Sequence, residues 1–270
     1  MHLECQFEVT QTGQAADLLR GQTNLPKSRI KDAMTKGAVW LTNEHGKSRL
    51  RRASRTIDAG NKLAIYYNEK ILGSIPPQPK LIADKSSYSV WYKPPGLMSS
   101  GSRFGDHHTI GRLVEQDLQR PVYLVHRLDR FTRGIMLLAH NKQAARHFAA
   151  QFKDRQTYKE YRAKVVGNLQ DQVTIDTPLE GKQAISHITP LRADEEQSLV
   201  KVVIDTGRKH QIRQHLAGIG HPVLGDALYG KGTPPDLQLA AVALAVECYE
   251  TGETVTFSLA ETPLDSELVS

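Results

Sequence analysis

Between Tyr158 and Val166 the chain alternates, placing Tyr161, Ala163 and Val165 on one side of a strand and Glu160, Arg162 and Lys164 on the other. Short apolar runs at Val90–Tyr92, Val122–Val125, Ile135–Ala139, Leu199–Asp205 and Thr254–Phe257 predict further strands, several of them separated by glycine and proline turns. The period changes after Asn141, where Ala144, Phe148 and Phe152 form one stripe of a helix. Upstream, Pro26 opens a short basic helix whose Ile30, Ala33 and Met34 share a face, with Gly37 as its stop. Val39–Leu41 and Leu63–Tyr67 read as strands, with a charged turn at Asn43–Lys47. Ile71–Ile82 holds three prolines, which bar a regular helix and break strand pairing, so a linker is expected at 71–82. The expected architecture is α+β. A small α/β module fills residues 1–70, and a mixed, mainly antiparallel sheet domain fills 83–270.

Charge sharpens this division. The 270 residues carry a net +6, of which residues 1–70 supply +5; Arg20–Arg55 alone holds ten basic side chains against Asp32 and Glu44. Such a concentration suits a polyanion, because Lys and Arg bind phosphates by charge and counterion release, although a solvated basic face reads the same way. At 39% hydrophobic and a mean hydropathy of −0.43 the composition is that of a globular protein. The longest apolar stretch, Leu239–Val246, is too short to span a bilayer, and Glu4, Gln6 and Glu8 interrupt any signal-peptide core. A cytoplasmic location without membrane contact is expected. Cys5 and Cys248 form no C-x-x-C pair.

Several chemistries drop out on spacing. His210 and His215 are five apart, about 140° around a helix, whereas two ligands of one metal need four. No metal site is expected. Neither G-x-x-x-x-G-K-[ST] nor G-x-G-x-x-G occurs, which argues against nucleoside triphosphates and dinucleotide cofactors. What remains is His126-Arg127-Leu128-Asp129-Arg130-Phe131-Thr132-Arg133-Gly134, an acid among three arginines. A carboxylate in a cationic setting stays ionised, which suits a nucleophile better than a general acid. Alone, the segment reads first as a salt-bridged loop and Tyr161 as an ordinary core tyrosine, while Gly207–Leu216, a cationic turn entering a helix, also reads as a solvated basic helix.

Together and in order, these segments resemble the RluA-type family of RNA pseudouridine synthases. The resemblance runs from Tyr88 to Gly230: Lys93-Pro94-Pro95-Gly96, the HRLD loop with Thr132 and Gly134, K-x-Y-x-A-x-V around Tyr161, G-R-K-H-Q-I-R-Q-H-L from Gly207, and Gly220–Asp226 through Tyr229-Gly230. It implies a pseudouridine-synthase-type catalytic domain that isomerises uridine in structured RNA, ribosomal RNA being favoured and transfer RNA the alternative, with no cofactor. Asp129 matches the catalytic aspartate, attacking sugar or base. Tyr161 matches the tyrosine packed on the flipped base and is a candidate to take the proton from carbon 5. Arg213 matches the arginine paired with the carboxylate. Arg127 or Arg130 is expected to fill or brace the space the base leaves, both being candidate RNA contacts, and Lys93 is taken as a further RNA contact. The N-terminal unit resembles the RNA-binding module of ribosomal small-subunit protein S-four over Leu25–Leu41 and near Leu63, which makes Lys27, Arg29, Lys31, Arg51 and Arg52 candidate RNA contacts. A monomer is expected. Two departures stand out: Arg133 where the family has serine, an extra cation expected beside the site, and Ala240 where it has histidine. A non-catalytic RNA-binding protein is the competing reading; hydrolase chemistry lacks a second placed carboxylate.

Overall fold

The structure, a computed structural model, describes residues 1–233 and 237–259. The chain divides into two compact units, one of residues 1–76 with 100–112 and the other of 77–99 with residues from 113 onward.

In the first unit, β1 (His2–Glu8) and β2 (Gly13–Gln14) precede α1 (Ala15–Gln22) and α2 (Lys27–Thr35). Then follow β3 (Val39–Asn43), β4 (Gly46–Arg49), β5 (Thr56–Ile57), β6 (Lys62–Asn68) and the one-turn α3 (Glu69–Leu72). The main sheet runs β1-β6-β3-β4 and is antiparallel. Its core joins Ile30, Ala33 and Met34 of α2 to Val39, Leu41, Leu63 and Ile65, as the helical stripe requires. The charged turn contracts to Glu44 and His45 between β3 and β4. The expected linker is displaced: Leu72 is buried in the first core, the units part at Pro76, and Lys80 already begins a strand. Residues 100–112, assigned by sequence position to the second domain, fold with the first because Asp106 pairs with Arg49 and Arg51, and the Trp40 indole donates to the Arg103 carbonyl.

The second unit carries β7 (Lys80–Lys85), β8 (Tyr88–Lys93), β9 (Tyr123–Leu124), β10 (Arg133–Ala139), α5 (Lys142–Lys153), β11 (Tyr158–Val166), β12 (Val173–Asp176), β13 (Ile185–Ala193), β14 (Gln197–Ile204), α6 (Gln211–Gly218), β15 (Leu239–Glu247) and β16 (Thr254–Ser258); α4 (Ile110–Leu118) spans the division. Its strands form one sheet in the order β12-β13-β14-β11-β15-β10-β8-β7, with β16 beside β15 and β9 beside β10. Only β10 and β15 pair in parallel among the described residues. The unbroken apolar run of β15 reflects its central place, where both sheet faces are covered. Asn141 caps α5 by accepting the Ala144 N–H, and Ala144 and Phe148 pack on Tyr88 and Ile135. Gly134 sits where β10 meets β15 so closely that a Cβ would lie 2.1 Å from the Ala241 carbonyl oxygen, which leaves only glycine room.

Candidate active site

The loop bearing Asp129 is pinned on both sides. Leu128 is buried, its N–H donating to Ser99 Oγ and its carbonyl accepting from the same hydroxyl at 2.6 Å. Beyond Asp129, the Arg130 carbonyl takes hydrogen bonds from Gly96 N–H and from the Lys93 ammonium. Lys93 also donates to the carbonyls of Leu97 (2.7 Å) and Pro94 (3.0 Å), so its three hydrogens clamp two loops together. Burial pulls this amine down to about 7, against the attraction of Asp129. Upstream, His126 stacks on Phe152 and accepts the Leu137 N–H; burial holds it down to about 3, so the ring is neutral.

The second side of the site comes from the turn entering α6. Gln211, buried, accepts from Thr206 Oγ1 and Arg208 N–H and donates to the Ile185 carbonyl, which fixes the Gly207–His210 turn. Two residues later Arg213 forms a two-pronged pair with Asp226, Nε and Nη2 each 2.7 Å from a carboxylate oxygen. Asp226 is itself held by the N–H groups of Leu228 and Tyr229. Its burial favours the neutral acid, and the Arg213 and backbone hydrogen bonds overcome that, lowering its pKa. The remaining guanidinium nitrogen, Nη1, lies 3.5 Å from Asp129 Oδ2. His210 Nε2 lies 3.7 Å from the same oxygen, within ion-pair range but longer than a hydrogen bond, and His210 Nδ1 is 3.0 Å from the Tyr229 hydroxyl.

Asp129 opens on a cleft of about 300 Å³ lined by Arg127, Thr132, Tyr161, Arg208, Ile212 and Leu239. Tyr161 packs against the core that contains Ala163 and Val200. Its burial, reinforced by the charge of Asp129, raises the phenol well above its ordinary value. A phenol so raised is neutral near pH 7, which suits packing on a base better than abstracting a proton.

The fold thus assembles Asp129, Tyr161, Arg213 and Arg127 around one cleft. Arg213 does approach the Asp129 carboxylate, but its fork belongs to Asp226. Arg130 lies outside the lining, its Nε donating to the Gly96 carbonyl and its guanidinium over the Phe131 ring. Lys93 is corrected: with no exposed surface and three carbonyls on its ammonium, it cannot meet phosphate. Arg133 is corrected as well. It pairs in register with Ala240, which also pairs with Arg162, whereas Tyr161 pairs with Ala241; Arg133 therefore belongs to the sheet face opposite Tyr161. Sequence reasoning missed Asp226 and Tyr229 as partners and gave His210 no role. In the first unit Lys27 pairs with Asp17, Arg29 with Glu69 and Arg51 with Asp106, while Lys31 and Arg52 make no ion pair among the described residues. No cluster of three metal-ligating side chains occurs among the described residues.

Comparison with known proteins agrees with this geometry. The family of RNA pseudouridylate synthases matches residues 87–218. An RNA pseudouridine synthase of Aquifex aeolicus is 34% identical over 245 residues, covering 79% of this chain and 75% of that protein. One from Helicobacter pylori J99 is 30% identical over 254 residues, 87% of this chain and 94% of its own. The dual-specificity RNA pseudouridine synthase RluA of Salmonella typhi is 33% identical over 189 residues, 62% and 86% respectively. Among solved structures, human RNA pseudouridylate synthase domain containing 1 superposes with a TM-score of 0.59 at 25% identity, covering 71% of this chain and 86% of that one. A chain that carries this cleft and this likeness belongs to the RNA pseudouridine synthases, isomerases that convert uridine to pseudouridine.

Proposed function

We propose that the protein isomerises specific uridines in structured RNA, ribosomal RNA being favoured over transfer RNA, with Asp129 as the nucleophile. The observation that carries this reading is the placement of Asp129 at the cleft, faced by the Arg213 guanidinium and lined by the Tyr161 ring. Isomerisation breaks the bond from N1 to the sugar carbon 1′, joins carbon 5 to that carbon, removes a proton from carbon 5 and returns one to N1. Nothing is oxidised or reduced. Protein groups therefore suffice: a carboxylate to attack, a cation to hold it ionised, and a surface to receive the base once it leaves its stack. Tyr161 is the receiving surface and Arg127 contacts the flanking RNA at the cleft wall.

The N-terminal unit acts as an RNA-binding module like that of ribosomal protein S-four. Lys27, Lys31, Thr35, Arg51 and Ser54 line a groove of about 370 Å³, a place for phosphates. That the Salmonella relative is a dual-specificity enzyme supports keeping a second RNA class, transfer RNA, as the alternative target.

Pseudouridine mapping of total cellular RNA tests the reading, in cells lacking the protein and in cells restored with wild type or Asp129→Asn. A site that disappears and returns only with wild type identifies the substrate. If every site persists, the catalytic reading gives way to RNA binding without chemistry.

A further inference from the structure

Two nitrogens approach one oxygen of Asp129, that of His210 still beyond hydrogen-bond distance, and no donor meets the other oxygen among the described residues. Arg213 Nη1 at 3.5 Å and His210 Nε2 at 3.7 Å both face Oδ2, while Oδ1 has no hydrogen bond among the described residues. His210 reaches this position at a cost, because it adopts a left-handed backbone conformation, φ +54°, rare outside glycine, asparagine, aspartate and histidine. Its imidazole is held on the far side by the Tyr229 hydroxyl, 3.0 Å from Nδ1, with the rings edge to face at 5.7 Å. Tyr229 in turn is fixed by its N–H on Asp226, the carboxylate that grips Arg213. Burial keeps the Tyr229 phenol protonated, and burial outweighs the pull of Asp129 to lower His210, so a phenol O–H faces a neutral imidazole. When Tyr229 donates to Nδ1, the imidazole hydrogen must sit on Nε2, aimed at Asp129.

We infer that His210 is a positioning residue which, with Arg213, holds Asp129 Oδ2 and leaves Oδ1 as the attacking atom, its tautomer set by Tyr229. The inference rests on the catalytic reading above and deepens it. When an Oδ1 lone pair bonds to carbon 1′, the N1–C1′ pair departs with the base; when it bonds to carbon 6, the C5–C6 π pair moves toward the carbonyl at carbon 4. Either way Oδ2 becomes the ester carbonyl, and both donors remain matched to it. Donors fixed before the reaction act on the rate, not on RNA affinity.

The test compares His210→Gln, whose amide nitrogen reaches the place of Nε2, with His210→Asn, whose shorter amide reaches only that of Nδ1, and with Tyr229→Phe. The substrate is total RNA from cells lacking the protein, assayed at the mapped site, with RNA affinity and melting temperature measured alongside. His210→Asn is expected to slow the saturated rate about thirtyfold or more while KM and RNA affinity stay within about threefold. His210→Gln recovers most of the rate, and Tyr229→Phe, which lacks only the hydroxyl, loses about tenfold. A wild-type rate in His210→Asn, or equal losses in Gln and Asn variants, overturns the inference while wild-type activity preserves the catalytic reading. Wild type forming no pseudouridine overturns that reading, and the inference with it.

Discussion

Arg133 of β10 stands in register with Ala240 of β15, the point at which the only parallel pair among the described strands begins. Both departures from the family pattern therefore meet at one place, and a long side chain stands beside a small one. Their face is the one opposite Tyr161, because Ala240 also opposes Arg162 while Ala241 opposes Tyr161. Replacing Arg133 with Ser is expected to change the saturated rate less than about threefold. A steady-state assay checks this, and a hundredfold loss would place Arg133 in the chemistry after all.

Lys93→Met should damage the loop, not the RNA contact. Three carbonyls lose the Lys93 donor, and among the described residues only that of Arg130 keeps another, from Gly96 N–H; each lost bond is worth about 1 kcal/mol. The expected result is a loss of about 2–4 kcal/mol in stability with a reduced rate and nearly unchanged RNA affinity. Urea unfolding and a binding titration separate the two effects; weakened binding with full stability would restore Lys93 as an RNA contact.

Acid lability should carry a signature of His126. Unfolded, this histidine takes up a proton near 6.5, and folded it waits until about 3. Between those values the unfolded state binds more protons, so stability falls as pH falls, by about 1.4 kcal/mol per pH unit from this residue alone. His126→Gln, which keeps an acceptor for Leu137 N–H, is expected to show a flatter decline between pH 6 and 4 in unfolding experiments. Parallel declines would mean that His126 is already protonated in the fold.

The basic module is best tested by point changes, since removing residues 1–70 would strand Asp106 and the Phe104 ring that packs on Tyr66. Lys31→Ala and Arg52→Ala, free of ion pairs among the described residues, should each lower the slope of log affinity against log salt by about 0.7–0.9. Filter binding across salt concentrations measures it. An unchanged slope in both would remove this surface from the RNA interface.

Much of this was legible in the sequence where one local rule dominates. The alternation of Tyr161, Ala163 and Val165 set the faces of β11, and the Ala144–Phe148 stripe with its Asn141 cap set α5. The alternation of Leu3, Cys5 and Phe7 with Glu4, Gln6 and Glu8 marks β1 by the same rule. What stayed hidden depends on contacts distant in the chain. Lys93 looks like an exposed cation until carbonyls of residues 94, 97 and 130 converge on it. Arg213 pairs first with Asp226, thirteen positions on, because the turn at Leu228 and Tyr229 brings that carboxylate under the helix. No spacing rule announces His210, whose role depends on a left-handed residue at the helix start.

In the proposed mechanism the Asp129 carboxylate performs the chemistry. RNA carrying uridine tritiated at carbon 5 releases its label to water when carbon 5 gives up its hydrogen, so single-turnover release by wild type and Asp129→Asn, with RNA affinity measured on the same samples, tests it directly. The account predicts release by wild type and none by Asp129→Asn, at equal affinity and melting temperature. Release by Asp129→Asn at a rate near wild type would contradict it.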